Sequence, residues 1–214
     1  MATTTIDIDE AIVRVKQGGI TAIVRGSFET NTLLSFADAL SSEGVTAMEV
    51  TLNSPNATSH IAALRRHVSD RMLIGAGTVR NVSQVDESID AGAQFLVSPG
   101  FDLASVTRSL AHGVLHLPGV FTATEAQQAA SAGCRMLKLF PADTLGPVYL
   151  KALRAPLDDV DFVPTGGVSP TNAAAWRKAG AVAIAVGSTL IAGANQTADD
   201  LAKRARELRS AWAS

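Results

Sequence analysis

The sequence predicts an α/β fold of the (β/α)8 TIM-barrel class, in a single domain with a short N-terminal helix. Three observations carry that expectation. Eight short apolar runs of strand type alternate with helical patterns along the chain. No composition shift or linker divides them, so residues 1–214 are expected to form one domain. No Gly-x-Gly-x-x-Gly turn follows the first strand, which counts against the competing doubly wound sheet; Gly75-Ala76-Gly77 is only a short match.

The elements follow in order. Residues 7–17 read as a short helix with Ile12, Val13 and Val15, ended by Gly18-Gly19. Residues 20–26 read as a strand finishing in Arg25 and Gly26. A helix over 30–42 places Leu33, Leu34, Phe36, Ala37 and Leu40 on one face, with Gly44 as its stop. Strand 47–52 is followed by Asn53-Ser54-Pro55, which opens a helix carrying Ile61, Leu64 and Val68. Strand 72–78, helix 82–91, strand 95–99, helix 102–112 and strand 115–120 continue the alternation. Thr122-x-x-Glu125 has the form of a capping box. Strand 135–141 comes next, then residues 142–147 as a loop and 147–153 as a helix. Strand 162–168 leads into Ser169-Pro170, a cap-then-proline start for a helix to Ala179. Strand 183–188 and an amphipathic helix over 198–212 close the chain.

Composition narrows the function classes. The chain is 47% hydrophobic and 18% charged, the profile of buried parallel strands alternating with helices. A net charge of -2 gives no basic field for nucleic acid. No apolar run is long enough to span a membrane, and the first five residues lack the basic and apolar regions of a signal peptide. A single cysteine, Cys134, excludes an intrachain disulfide, suits a reducing cytoplasm and reads as buried filler.

Charges inside strands carry the functional argument. Lys138 sits in the middle of an apolar run, where an ammonium is costly unless paired or neutral. Desolvation lowers a lysine pKa, and a neutral amine is the nucleophile needed for a Schiff base with a ketone. The plainer alternative is a lysine snorkelling to solvent from the strand edge. Glu49 lies inside the second predicted strand and Arg25 ends the first. The second and sixth strands of an eight-stranded barrel face each other, so Glu49 and Lys138 are expected to converge. They could be a structural ion pair, but isolated opposite charges beside an arginine read better as a site.

Glycines mark a second feature. Gly166-Gly167 ends the seventh strand and Gly187-Ser188 the eighth, where many barrels bind a phosphate through backbone N–H groups; ordinary turns are the alternative. The histidines (His60, His67, His112 and His116) form no cluster with metal-ligand spacing, and no Gly-x-Ser-x-Gly signature occurs.

These residues together amount to a resemblance. Glu49-Val50-Thr51-Leu52-Asn53-Ser54-Pro55, Ile74-Gly75-Ala76-Gly77-Thr78-Val79, Leu137-Lys138-Leu139-Phe140-Pro141, the run from Gly146 to Leu153, and Gly166-Gly167-Val168 resemble the 2-keto-3-deoxy-6-phosphogluconate and -galactonate aldolase family, in register from Ile20 to Leu190. The resemblance implies a metal-free, cofactor-free class I aldolase, usually a homotrimer, that releases pyruvate from a phosphorylated keto-deoxy sugar acid. It implies that Lys138 forms the Schiff base and Glu49 shuttles protons. Arg25 and Thr78 would bind substrate, Gly166, Gly167, Gly187 and Ser188 would cradle phosphate, and Pro99 and Phe140 would line the pyruvyl pocket. Asn53-Ser54-Pro55, where the gluconate branch carries an arginine, is similar to the galactonate branch. Pro164-Thr165-Gly166-Gly167 is similar to the gluconate branch, so that substrate, with 4-hydroxy-2-oxoglutarate as a side activity, is the alternative within enzymes. A phosphate-binding barrel without catalysis is the alternative from another class, and a metal-dependent aldolase a third.

Overall fold

Short aliphatic runs punctuated by glycine-ended helices produce a chain of parallel strands in the computed structural model, which describes residues 6–214. The reading of the first five residues lies outside that range. The strands are β1 (Ile20–Val24), β2 (Ala47–Thr51), β3 (Leu73–Gly77), β4 (Phe95–Val97), β5 (Leu115–Leu117), β6 (Gly119–Val120), β7 (Met136–Leu139), β8 (Asp161–Pro164) and β9 (Ile184–Val186). The helices are α1 (Ile8–Gly18), α2 (Thr30–Ser42), α3 (Ala57–Val68), α4 (Val82–Asp90), α5 (Leu103–Ala111), α6 (Ala123–Ser131), α7 (Ala142–Arg154), α8 (Ala173–Lys178) and α9 (Ala198–Ala213).

Two parallel sheets result, in the orders β5-β4-β3-β2-β1-β9 and β6-β7-β8. They meet at two places. A parallel bridge joins Thr165, just past β8, to Ala185 of β9. At the other junction the predicted fifth strand is divided by Pro118, which has no N–H to give a ladder. Its carbonyl still accepts from the Lys138 N–H at 3.0 Å, so β5 pairs with β4 and β6 with β7 across one short break.

Period-two alternation sorts the strand residues into two layers. Ile23, Ala47, Leu73, Phe95, Val97, Leu115, Leu117, Met136, Val163 and Ala185 form an interior cluster. Their neighbours Val24, Met48, Val50, Ile74, Leu96, Leu137, Phe162 and Val186 pack outward among the helices. Helices α2 to α9 supply apolar side chains to that outer layer; α2 buries Leu33, Phe36, Ala37 and Leu40, each large side chain contributing about 2 kcal/mol. α1 behaves differently, because its Ala11, Ile12 and Val15 join the interior cluster and stop one end of it.

Helix ends follow the expected chemistry. Thr122 and Glu125 form the reciprocal capping box at α6. Asp102 and Thr197 accept from the N–H groups of Ser105 and Asp200 to cap α5 and α9. Two expectations need correction. Residues 142–147 are not a loop: α7 starts at Ala142 and is broken inside at Gly146, whose φ of 76° lets the chain turn before Pro147 resumes the helix. α8 begins at Ala173 rather than at Pro170, because the Asn172 carboxamide accepts from the Ser169 N–H and holds the intervening residues as a turn.

Gly75 shows how tightly the interior is filled, since a Cβ there would lie 2.6 Å from the ring of Phe95. Gly75→Ala is therefore expected to destabilise the protein by about 1–3 kcal/mol, read as a lower midpoint in urea unfolding.

Candidate active site

Alternation decides which side chains enter the interior. Glu49 occupies an inward position of β2, in register with Ile23 of β1 and Gly75 of β3. Lys138 occupies an inward position of β7, opposite Gly119 of β6 and Val163 of β8. Both are buried, Glu49 at 1% and Lys138 at 5% exposure, and both line one small interior space of about 10 Å³ with Phe95, Thr165 and Ala185. Glycine makes room for the carboxylate, because a Cβ on Gly77 would meet Glu49 Oε1 at 2.4 Å.

Above this space the strand ends open into a cavity of about 320 Å³. Lys138 lies at its floor and Phe140 beside it, with the lysine Nζ 4.5 Å from the ring centroid. Arg25, Gly166, Gly167, Gly187 and Ser188 line its walls. Seven residues singled out from the sequence therefore face one cavity, and Glu49 lies beneath it. Thr78 joins through Arg25, whose guanidinium donates to Thr78 Oγ1 at 3.5 Å. Thr78 has φ of 60°, a costly conformation for a β-branched residue that persists where surrounding structure imposes it. Pro99 is different: it is exposed beyond β4, outside the residues lining the cavity, and its carbonyl packs against Gly119.

The turn bearing Arg25 is held from the next unit. Gly26 N–H donates to Ser54 Oγ at 3.0 Å, and the buried Thr51 and Ser54 hydroxyls lie 3.0 Å apart. Sequence reasoning missed part of the wall. Thr189, Ile191, Ala192 and Gly193, from the segment after β9, line the cavity, and the small residues at Gly187-Ser188-Thr189 and Ala192-Gly193 were its only signal. Ile23 and Ala185 line it too, as extending the strand alternation would have indicated.

Burial sets the electrostatics. It raises the Glu49 carboxyl to about 7, against the opposing pull of Lys138 and Arg25, and among the described residues Oε2 has no hydrogen-bond partner. Burial lowers the Lys138 amine; Glu49 opposes the shift and Arg25 adds to it. A proton acceptor poised near neutrality and an amine biased toward its uncharged form thus share one dry space. His116 is also buried and is lowered to about 4 by desolvation, but it points outward to the serine hydroxyls of Ser109, at 2.9 Å, and Ser98, at 3.1 Å. Burial raises the Cys134 thiol to about 12, in keeping with inert filler. Among the described residues no group of three or more His, Cys, Asp or Glu side chains is placed to hold a metal ion, and no helix is long and apolar enough to cross a membrane.

A carboxylate raised from 4.5 to about 7 by burial contributes no cost below its unfolded pKa; stability is lost as pH rises from there through about 7, and the loss is complete above it. In a Lys138→Met background, which removes the amine's lowering pull on Glu49, adding Glu49→Gln should stabilise the protein at pH 8 by at least about 3 kcal/mol. The difference should fade toward pH 5. Urea midpoints across that range provide the check.

Comparison with known proteins agrees with this geometry. The 2-dehydro-3-deoxy-6-phosphogalactonate aldolase of Escherichia coli is 38% identical over 192 residues, covering 89% of this chain and 93% of that protein. The 2-dehydro-3-deoxy-phosphogluconate aldolase of Treponema pallidum is 40% identical over 172 residues, covering 80% of each. The solved structure of native KDPGal superposes with a TM-score of 0.86 at 36% identity, covering 91% of this chain and 94% of that one. Residues 11–206 match the aldolase family described as KDPG and KHG aldolase, and it is to this family that the chain belongs.

Proposed function

We propose that this protein is a class I aldolase that cleaves 2-dehydro-3-deoxy-6-phospho-D-galactonate to pyruvate and D-glyceraldehyde 3-phosphate. The observation that carries the reading is a buried amine at the cavity floor, Lys138, beside a buried carboxyl raised to about 7, Glu49. The uncharged Lys138 amine attacks the C2 ketone and forms a carbinolamine, which loses water to give a protonated imine. Glu49 takes the proton from the C4 hydroxyl as the C3–C4 bond breaks, and the bonding electrons flow into the imine as an enamine. The aldehyde leaves. Protonation at C3 and hydrolysis of the imine then release pyruvate and return the amine.

The remaining roles follow the cavity. Arg25, Thr78 and nearby backbone N–H groups would hold the substrate carboxylate. Gly166, Gly167, Gly187 and Ser188 would receive the phosphate, with positive φ at Gly166 and Gly167 letting backbone approach the anion. Phe140 would cover the pyruvyl group, whereas the exposure of Pro99 gives it a smaller part. The two sheets, joined at Pro118 and at the Thr165–Ala185 bridge, fit one closed (β/α)8 barrel over residues 1–214. A homotrimer working in the cytoplasm completes the reading.

One observation favours a second substrate. Thr165, which lies in the Pro164-Thr165-Gly166-Gly167 run similar to the gluconate branch, lines the cavity with its hydroxyl donating to Val163 O at 3.3 Å, and a single hydroxyl is enough to tell C4 epimers apart. The gluconate epimer is therefore the alternative, and kcat/KM on both epimers, coupled to pyruvate detection, decides between them. A preference for the gluconate epimer would overturn the galactonate assignment.

The chemistry has its own tests. Borohydride with pyruvate should add a stable adduct to wild type and none to Lys138→Ala; an adduct on the variant would place the imine elsewhere, and none on wild type would favour a non-catalytic phosphate-binding barrel. Glu49→Gln should lower kcat by about 10²-fold or more. A normal kcat would make Glu49 structural.

A further inference from the structure

The cavity wall after β9 is held in an unusual way. Leu190 and Ile191 are buried and anchor its middle. Leu190 N–H and Ile191 N–H donate to Gly187 O at 2.9 and 2.8 Å, and three further backbone groups are held by side chains from outside the wall. Ala192 N–H donates to Gln196 Oε1 at 2.8 Å, and Gln196 Nε2 donates to Leu190 O at 3.0 Å. The same Nε2 donates to Asp200 Oδ2 at 3.0 Å, which also accepts from Arg204 Nε at 2.9 Å. A second guanidinium nitrogen of Arg204 reaches Thr189 O at 3.4 Å. Asp200 is fixed at the start of α9, where its N–H donates to the Thr197 cap at 3.1 Å.

The carboxamide has only one workable orientation. Its nitrogen faces two oxygens and its oxygen faces an N–H; turned over, it would set oxygen against oxygen twice. Behind the wall lies a groove of about 340 Å³ lined by Thr189, Leu190, Asp200 and Arg204. Polar bonds therefore join the wall to α9 beside the apolar cluster that holds Leu190, Ile191, Leu201 and Leu208. Among the described residues none of these side chains hydrogen-bonds Lys138 or Glu49, which lie on β7 and β2.

We propose that Gln196, braced by Asp200 and Arg204 of α9, is a positioning residue that holds the wall from Gly187 to Gly193 in shape to receive the substrate's phosphate, and so sets the preference for phosphorylated over unphosphorylated keto-deoxy acids. The inference rests on the phosphate site proposed above. A cradle of backbone N–H groups works by being preorganised, and each lost anchor makes binding pay for ordering the wall. Removing Gln196 frees Ala192 N–H and Leu190 O next to Gly193, whose φ of 149° is a conformation that side-chain-bearing residues rarely adopt and whose lack of a side chain leaves the backbone there less restrained.

The test compares KM for 2-dehydro-3-deoxy-6-phosphogalactonate and its unphosphorylated counterpart in wild type, Gln196→Ala and Asp200→Asn. Borohydride trapping of pyruvate and Tm are measured alongside. Gln196→Ala should raise KM for the phosphorylated acid about five- to ten-fold, the worth of one or two hydrogen bonds. KM for the unphosphorylated acid and the trapping rate should stay near wild type. Asp200→Asn should shift the same ratio about two-fold and serves if Gln196→Ala fails to fold. Equal changes in both KM values, or slower trapping, would mean general loosening and overturn the proposal. A wild type selective for the phosphate with an equally selective Gln196→Ala would sink this inference alone. A wild type indifferent to the phosphate would remove the phosphate site and the brace with it.

Discussion

Desolvation of two opposite charges that do not neutralise each other through a hydrogen bond is the constraint on which the rest of the structure depends. Among the described residues Glu49 Oε2 has no hydrogen-bond partner, and Lys138 has an aromatic face for a neighbour rather than a carboxylate within ion-pair distance. A paired and satisfied salt bridge would leave both groups charged and unreactive. Held apart in a space of about 10 Å³, they instead move toward each other in proton affinity. The fold tolerates that cost because everything around them is small or apolar: Gly75 and Gly77 give up side chains, and Phe95, Val97 and Leu117 fill the remainder.

Parallel strands make the arrangement possible. Every strand has an inward and an outward set, so a functional group can be placed inside without disturbing the layer against the helices. His116 is the complementary case. It sits between the inward Leu115 and Leu117, points the other way, and ties β5 to Ser109 of α5 and to Ser98 after β4. Ser98 Oγ in turn donates to Gly100 O at 2.8 Å, so a buried polar chain fixes the segment around Pro99. The same residue type inside a strand can thus serve chemistry or structure, and the parity of its position separates the two.

Much of this was legible in the sequence. The order of strands and helices, the capping box at Thr122, and the convergence of Glu49 and Lys138 follow from local patterning and strand parity. Charged residues inside apolar runs are conspicuous because burial is so costly. What stayed hidden depends on tertiary partners. The missing N–H of Pro118 divides the fifth strand, but which neighbour each half pairs with appears only in the fold. The helix over 142–145 follows a strand without a side-chain cap and is interrupted by Gly146, so it reads as turn residues. The wall from Thr189 to Gly193 has no motif of its own; its contacts with Gln196 and Arg204 appear only once α9 lies behind it.

The stopper formed by α1 has a consequence for traffic. Ala11, Ile12 and Val15 fill one end of the interior, so the site is a well rather than a channel. Everything enters and leaves past the same rim. On the proposed reading, the three-carbon fragment bonded to Lys138 lies deepest and the phosphorylated fragment lies between it and solvent. The aldehyde must therefore depart first, and while the enamine waits at the floor the vacated upper cavity stands open to any aldehyde of similar size. Run backwards, such a vessel would be selective about the keto acid it loads and more permissive about the acceptor that follows.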